Sequence, residues 1–328
     1  MSGGAGGGAA ARAATALLLH PDCGRHDPGW GHPEHQGRLP AIVAALEHAT
    51  PELLGRVLQR EARPADPDVL EWCHAPPMIA RAREAVANAA AAGAPLALSE
   101  DTSVSAASWD AALAAVGSAL DGVDLVLDGV VPSAFALCRP PGHHATPTRS
   151  MGFCLFNSVA LAALHARRRG IGRVLIVDWD VHHGNGTQDI FWEDPAVYYV
   201  SLHQWPWYPG TGAPGERGAG AGHGTTLNRT LRAGTDGARY LDAFADAVGS
   251  AARAHRPELL LISAGFDTLA GDPLGGLLLE PSDMRTLTLA ARDIVGERVP
   301  LVAVLEGGYA PARTGAAVVE VFRALAHG

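Results

Sequence analysis

Cysteine is scarce and unpaired in this sequence. The four residues Cys23, Cys73, Cys138 and Cys154 include no C-x-x-C pair and are too few for a disulfide scaffold, so reduced thiols in a cytoplasm are the simplest reading. No run of about 18 apolar residues is free of charge or of Gly/Pro breaks, so no membrane span is expected. Positive charge is also lacking. The formal net charge is −9 and the pI is near 5.9, which argues against a nucleic-acid partner. Residues 1–14 lack the basic start, apolar core and cleavage site of a signal peptide and read as a disordered Gly/Ala-rich leader. Internal repeats and domain linkers are absent as well. What remains is 48% hydrophobic, with a mean hydropathy of +0.08. That is ample core for one large α/β domain or two smaller ones, and without a linker residues 15–328 are expected to form one.

The stretch Val174-Leu-Ile-Val-Asp-Trp-Asp-Val-His-His-Gly-Asn-Gly186 organises the chain. It begins as a β-branched apolar run, which reads as a buried strand. It continues into Asp178, Asp180, His182 and His183, more polar groups than a strand interior tolerates without partners. At the C-terminal end of a parallel strand they can face a crevice, where ligands of α/β sheets bind. Asp180 and His182 lie two apart and point the same way in extended backbone. A carboxylate and an imidazole so placed make half of a divalent metal site; the competing reading is a solvated loop.

Strands are expected at Thr15–Leu19, Ala134–Cys138, Val174–Val177, Ala196–Leu202, Leu259–Ser263 and Leu301–Leu305. Helices are expected at Arg38–His48, Pro76–Ala92 with Gly93 as its cap, Asp110–Leu120, Asn157–Arg169, Asp236–His255 and Ser282–Val295, with a final helix closing the chain. The alternation implies a mostly parallel, doubly wound sheet. Ser99–Ser105 and His203–Gly224 read as loops. The His-rich loop His20–His35 is too long for a simple connector and reads as the rim of a site.

Four of these strands end in reactive residues: His143 and His144 after the first, Asp178, Asp180 and His182 after the second, Asp267 after the third, and Gly307, Gly308 and Tyr309 after the fourth. In a parallel sheet these ends share one edge. Asp180, His182 and Asp267 can supply one nitrogen and two carboxylates to a metal and leave a position for water and substrate. Two anionic ligands leave the metal less electrophilic than three imidazoles would, so the water needs a base. His143 and His144 can supply it, because adjacent imidazoles repel when both are charged and their pKa values separate. One is then neutral and takes a proton, while the other is cationic or an orienter. Asp178 is a candidate partner for one ring N–H. Tyr309 follows two glycines that allow close approach to a ligand, and its hydroxyl can polarise a carbonyl opposite the metal. The assembly suits hydrolysis of an amide or ester. Gly152-Phe153 and Trp207-Tyr208 are either walls for a slim apolar substrate arm or ordinary core.

With these residues assembled, the chain closely resembles the zinc-dependent histone deacetylase superfamily, which also holds bacterial deacetylase-like amidohydrolases, acetoin-utilisation proteins and acetylpolyamine amidohydrolases. The resemblance spans roughly residues 15 to 325. It rests on His32-Pro-Glu with Arg38-Leu39, Arg139-Pro-Pro-Gly-His-His144, Gly152-Phe-Cys154, the 178–186 run, Ser201-Leu-His-Gln204, Tyr208-Pro-Gly-Thr-Gly212, Ala264-Gly-Phe-Asp267 with Asp272-Pro-Leu274, and Glu306-Gly-Gly-Tyr309. It implies an arginase-deacetylase-like three-layer α/β fold with a central, mostly parallel eight-stranded sheet. It also implies hydrolysis of an N-acetyl amide, foremost acetyl-lysine in protein or peptide, with acetylpolyamine or another small acylated amine as the alternative. By the same resemblance Zn²⁺, or Fe²⁺, sits on Asp180, His182 and Asp267. His144 is the general base and acid, His143 its electrostatic partner held by Asp178, and Tyr309 the carbonyl polariser. Gly152, Phe153 and Tyr208 or Trp207 wall the tunnel, Asp101 sits on its rim and Arg38 lies near an inner acetate channel. A structural K⁺ is implied at Asp178, Asp180, His182, Ser201 and Leu202, and a second at Phe191, Asp194 and Val197.

Two departures matter. Asn185 stands where many class I members carry an aspartate, as in class II-like and bacterial members, which implies a less basic His144. Leu274 stands where polyamine-selective members tend to carry an acid, which tilts the reading towards acyl-lysine. An arginase-type ureohydrolase would need further bridging carboxylates, and Asp267 is followed by Thr268 and Leu269 rather than by another ligand. A non-catalytic acyl-lysine binder would show a damaged ligand set or lack the tyrosine. Oligomeric state is left open, a homo-oligomer included.

Overall fold

The computed structural model describes residues 13–327. The leader expected over residues 1–14 therefore lies outside the described residues up to residue 12; the Ala14 N–H donates to the Arg56 carbonyl at 2.8 Å. In chain order the elements are β1 (Thr15–Leu19), α1 (Arg38–His48), α2 (Thr50–Leu53), β2 (Val57–Glu61), α3 (Pro76–Ala92), β3 (Leu96–Ala97), β4 (Ser103–Val104), α4 (Ser108–Leu127) and β5 (Ser133–Ala136). They continue with α5 (Ser158–Arg168), β6 (Val174–Asp178), α6 (Asn185–Ile190), β7 (Val197–Gln204), β8 (Thr226–Leu231), α7 (Gly237–His255), β9 (Leu259–Ala264), α8 (Pro281–Val295), β10 (Leu301–Leu305) and α9 (Pro311–His327).

Eight strands form one sheet in the order β2-β1-β5-β10-β9-β6-β7-β8, and every pairing in it is parallel. Helices cover both faces. On one side α4 and α5 pack together over β1, β5, β6, β9 and β10; on the other α1, α9, α8 and α7 follow one another. Burial on both faces explains why β5, β6, β9 and β10 read as continuous apolar runs rather than alternating ones, since all their residues are buried.

The edge strands were not legible. β2 reads Val-Leu-Gln-Arg-Glu, and its last three residues are exposed. β8 reads Thr-Leu-Asn-Arg-Thr-Leu with only two buried positions. Polar, half-exposed edges protect a sheet from pairing with other chains, and the same polarity removes the strand signal. Three boundaries also move. The strand expected over Ala134–Cys138 ends at Ala136. The expected Asp110–Leu120 helix runs on to Leu127, burying Val123 and Val126. The Ser99–Ser105 loop contains β4, which closes a small antiparallel hairpin with β3.

Helix ends follow their local chemistry. The Asn157 side chain caps α5 by accepting from the Ala160 N–H at 3.0 Å, and Asp236 caps α7 at the Arg239 N–H at 2.9 Å. Gly93 closes α3 in the left-handed region at φ +65°, as anticipated.

The chain leaves β5, skips two strand positions to β6, and returns later to fill them with β9 and β10. The strands carrying the reactive ends, β5, β10, β9 and β6, are therefore four adjacent strands at the centre of the sheet. Reversals of this kind open a crevice at the carboxyl edge.

Candidate active site

Asp178 is the last residue of β6, and the chain then turns so that Asp180 and His182 face the end of β9. The His182 Nδ1 lies 3.0 Å from Asp180 Oδ1 and 3.2 Å from Asp267 Oδ2. The three donor atoms sit within 4.8 Å of one another. A tetrahedral ion bound at about 2.0–2.2 Å would hold its ligand atoms about 3.3–3.6 Å apart, so the trio needs little adjustment to hold one. Backbone amides aim the carboxylates: Asp180 Oδ2 accepts from the Gly307 N–H at 2.9 Å and Asp267 Oδ1 from the Val181 N–H at 2.8 Å. Gly307 has to be glycine, since a Cβ there would lie 2.1 Å from Asp267 Oδ2.

Both carboxylates are fully buried and His182 nearly so. Burial and the neighbouring Asp180 charge push the Asp267 carboxyl up to about 7. Burial favours neutral His182, yet its contacts with Asp180 and Asp267 bring the imidazole up to about 10. Two buried acids thus draw a positive charge into the cluster, and a donor set of one nitrogen and two carboxylates suits a divalent cation. This fits the metal that the sequence motifs imply.

The two neighbouring histidines stand in different environments. Their ring centroids are 4.0 Å apart. The His143 Nδ1 lies 3.0 Å from Asp178 Oδ2. Burial opposes its charge, but Asp178, Asp180 and Glu306 together hold its pKa well above the usual value. The His144 Nδ1 lies 2.8 Å from Asn185 Oδ1. An amide oxygen only accepts, so Nδ1 carries the proton and Nε2 is the basic nitrogen. Burial and the charges of His143 and His182 hold the His144 pKa well below the usual value. The pair therefore separates into a charged and a neutral ring.

Tyr309 follows β10. Its N–H donates to Asp272 Oδ2 at 2.6 Å, and the Arg38 guanidinium lies over its ring, 4.9 Å from the centroid. His144, His182 and Tyr309 form the inner end of a pocket of about 230 Å³ whose walls are Gly152, Phe153, Trp207, Tyr208 and Leu274, with Asp101 also lining it. Phe153 meets Tyr309 edge-on at 5.8 Å, and Tyr208 meets His144 edge-on at 5.1 Å. Trp207 is 45% exposed, and its indole N–H donates to the Leu274 carbonyl at 2.9 Å.

Asp101 ties the two walls together. Its Oδ1 accepts from the Gly152 N–H at 2.9 Å and its Oδ2 from the Tyr208 hydroxyl at 2.6 Å. Gly152 and Phe153 are both left-handed, at φ +58° and +66°. This turns the Phe153 N–H to the Thr102 hydroxyl at 3.1 Å. A side chain at residue 152 would collide with His144, whose Cδ2 lies 2.3 Å from an ideal Cβ.

Arg38 sits behind Tyr309, wholly buried, and donates to Glu34, to the Gly308 carbonyl at 2.7 Å and to the Glu306 carbonyl at 2.6 Å. Ser201 and Leu202 lie on β7 beside β6; the Ser201 hydroxyl meets His203 Nδ1 at 2.9 Å, and the Leu202 carbonyl faces the Tyr240 hydroxyl at 3.4 Å. Phe191, Asp194 and Val197 bracket the turn into β7, where Asp194 Oδ1 accepts from the Ala196 N–H at 2.8 Å.

Four participating residues had no individual role in the sequence reading. Tyr199 donates to Asp178 Oδ2 at 3.0 Å, and its place in an apolar strand gives no hint of this. Glu306 Oε2 accepts from the N–H groups of Gly142 and His143, at 2.6 and 3.1 Å. Asp272 orients Tyr309, and Thr102 holds Phe153. Glu306 and Asp272 stood inside recognisable motifs, but their partners are distant in sequence.

Residues 32–325 match the family model of the histone deacetylase domain. The chain is 39% identical over 309 residues to the chloroplastic histone deacetylase 10 of Oryza sativa subsp. japonica, an alignment covering 89% of this chain and 69% of that protein. It is 38% identical over 315 residues to the polyamine deacetylase HDAC10 of Homo sapiens, covering 90% of this chain and 45% of that longer protein. The crystal structure of the HDA15 HD domain is similar at a TM-score of 0.89 and 36% identity, over 96% of this chain and 88% of that one.

Proposed function

The chain belongs to the histone deacetylase family and is a deacetylase, and from that premise we propose that it hydrolyses the acetyl amide of acetyl-lysine in protein or peptide with a divalent metal, Zn²⁺ foremost and Fe²⁺ as the alternative. The observation that carries this reading is the convergence of Asp180, His182 and Asp267 at the inner end of a narrow apolar pocket that His144 and Tyr309 also line.

Asp180, His182 and Asp267 would hold the cation. When bound, it supplies Lewis acidity towards a carbonyl and makes a water more acidic. The chain's own residues do the rest. His144, neutral and with Nε2 free, takes a proton from the attacking water and later returns it to the leaving amine. His143, kept charged by Asp178, stabilises negative charge as the tetrahedral centre forms. The Tyr309 hydroxyl, kept protonated by its burial, donates to the developing oxyanion. Phe153 and Tyr208 enclose the methylene arm, exclude water and direct the amide inward. Asn185 accepts from His144 without adding negative charge, so this base is weaker than one paired with a carboxylate.

An acetylpolyamine is the second reading, favoured by the similarity to a polyamine deacetylase. Against it stands the wall of the pocket, where Leu274 offers no charge and Asp101 is already engaged by Tyr208 and Gly152. The arginase-type reading does not fit a deacetylase family, and the ligand trio is the only metal-competent cluster among the described residues. The acetyl-lysine deacetylase reading also assigns structural K⁺ to the turns around Asp178 and Asp194. Metal analysis of the purified protein, with amine release from acetyl-lysine peptide and acetylated polyamine, tests the proposal. One zinc or iron per chain and chelator-sensitive turnover of the peptide are expected; turnover of neither substrate with metal bound would refute it.

A further inference from the structure

We propose that the cleft lined by Arg81, Arg149 and Ser99, next to the mouth of the pocket, is a carboxylate-binding subsite that selects acyl-amine substrates carrying an acidic group beside the acylated amine. The inference rests on the acetyl-lysine reading of the neighbouring pocket and adds a specificity to it.

The cleft holds about 120 Å³ and is lined by Met78, Arg81, Leu98, Ser99, Arg149 and Ser150. Its interior is closed by buried Met78 and Ser150, and the Ser150 hydroxyl is spent on the Leu155 carbonyl at 3.0 Å. The two guanidiniums are its only charged groups. Arg81 projects from α3 and is fixed by one N–H donated to the Thr148 carbonyl at 2.7 Å, which leaves its other donors free. Among the described residues the Arg149 guanidinium makes one hydrogen bond, to the Met151 sulfur at 3.8 Å. Neither forms an ion pair among the described residues, whereas Arg63, Arg173 and Arg323 each sit on a carboxylate. The nearby acids do not neutralise them: Glu100 is exposed without an ion pair, and Asp101 points to Tyr208 and Gly152.

The cleft adjoins the proposed catalytic pocket. Ser99 and Arg149 each lie a few residues from Asp101 and Gly152, which line that pocket, and the Ser99 hydroxyl donates to Asp101 Oδ1 at 3.3 Å. Burial and the bond to Asp101 raise the Tyr208 hydroxyl pKa, and the Arg149 charge opposes them, so that guanidinium is within Coulombic reach of the mouth. Two planar forks with free donors suit a carboxylate, which accepts two parallel hydrogen bonds from one guanidinium and a further bond from the other, as Glu34 does from Arg139 and Arg38. In a chain of net charge −9, a local cationic cleft is also what would draw an anionic substrate in. An amine-rich polyamine would be repelled there. The carboxylate can be an acidic side chain flanking acetyl-lysine or the terminal carboxylate of the substrate itself.

The test uses the zinc-loaded full chain and peptides that differ only in carrying Asp or Asn on both sides of acetyl-lysine. Affinity is measured by calorimetry and kcat/KM by amine release. A further pair ends at acetyl-lysine as free acid or amide and separates the two carboxylate sources. The Asp peptide should be preferred about tenfold in low salt, with the preference fading as salt rises. The variant R81Q/R149Q should lose that preference while treating the Asn peptide as the wild type does, and R149E should turn the preference towards Lys-flanked peptide. An equal preference in wild type and double variant would overturn the subsite, as would an equal loss on both peptides. Turnover without charge discrimination would keep the acetyl-lysine reading and remove the subsite. Discrimination in binding without turnover of any peptide would keep the subsite and remove the acetyl-lysine reading. Neither binding nor turnover would remove both.

Discussion

Two groups of buried charges lie on either side of Tyr309, and they are balanced in opposite ways. Behind the ring, Glu34 accepts from Arg38 at 2.9 Å and from Arg139 through both carboxylate oxygens. The guanidiniums also reach backbone carbonyls, including those of Gly308, Glu306 and Cys23. Burial alone would raise the Glu34 pKa, but Arg139 and Arg38 bring it down to about 2. In front of the ring, Asp178, Asp180 and Asp267 share two imidazoles, and Asp267 is pushed up to about 7. Burial is common to both groups, so burial of charge is not by itself a mark of chemistry. The difference is the sign of the surplus: the first group sets two guanidiniums on one carboxylate, spends the extra donors on backbone carbonyls and supports the loop that carries Tyr309, whereas the second has more carboxylates than imidazoles and calls for a cation.

The largest effect that tests this contrast is on the metal. Asp180→Ala should abolish stoichiometric metal binding and leave turnover at background, and zinc retained after dialysis would exclude Asp180 as a ligand. Next comes stability. Glu34→Gln should cost about 3–5 kcal/mol in urea unfolding, because two guanidiniums lose their buried partner. Asp267→Asn should cost the metal-free fold nothing, because it relieves repulsion with Asp180. Equal losses in the two variants would erase the distinction.

Tyr309→Phe bears on the ring between the groups. It should lower kcat/KM about 10²–10³-fold, as loss of an oxyanion donor does, with unfolding stability little changed; activity within threefold of the wild type would remove the hydroxyl from the mechanism.

A smaller effect is on acid stability. The folded pKa of Glu34, about 2, lies below its usual 4.5. Its stabilisation is complete above pH 4.5 and is lost as pH falls through 2. Between pH 7 and pH 3 the gap between wild type and Glu34→Gln should shrink by about 2 kcal/mol. A gap independent of pH would mean that packing, not charge, holds the cluster. The smallest effect is at the mouth: Tyr208→Phe removes one of the bonds on Asp101 and should raise KM by up to about tenfold, the net worth of a typical hydrogen bond at a residue that is 38% exposed, with kcat unchanged.

The sequence by itself determined the central strands and the chemistry at their ends. β6, β9 and β10 are apolar throughout because both faces of a parallel sheet are covered, and that leaves an unmistakable run in the chain. Asp178, Asp180, His182, Asp267 and Tyr309 announced themselves as polar groups directly after such runs, and spacing alone put Asp180 and His182 on one side. The polar edge strands β2 and β8 left no such trace. Only the tertiary structure decided that the reactive ends belong to four adjacent strands, because strand order depends on crossovers that no local pattern records. The residues read by themselves left open which histidine is charged; the family resemblance gave His143 to Asp178, and the folded chain brings His143 to Asp178 and His144 to Asn185 across long stretches of sequence. The roles of Tyr199, Glu306 and Asp272, and the meeting of Arg81 with Arg149, have the same origin. Each depends on contacts between distant segments, and the free energy of a buried or unpaired charge is set by those neighbours rather than by the residue's own place in the sequence.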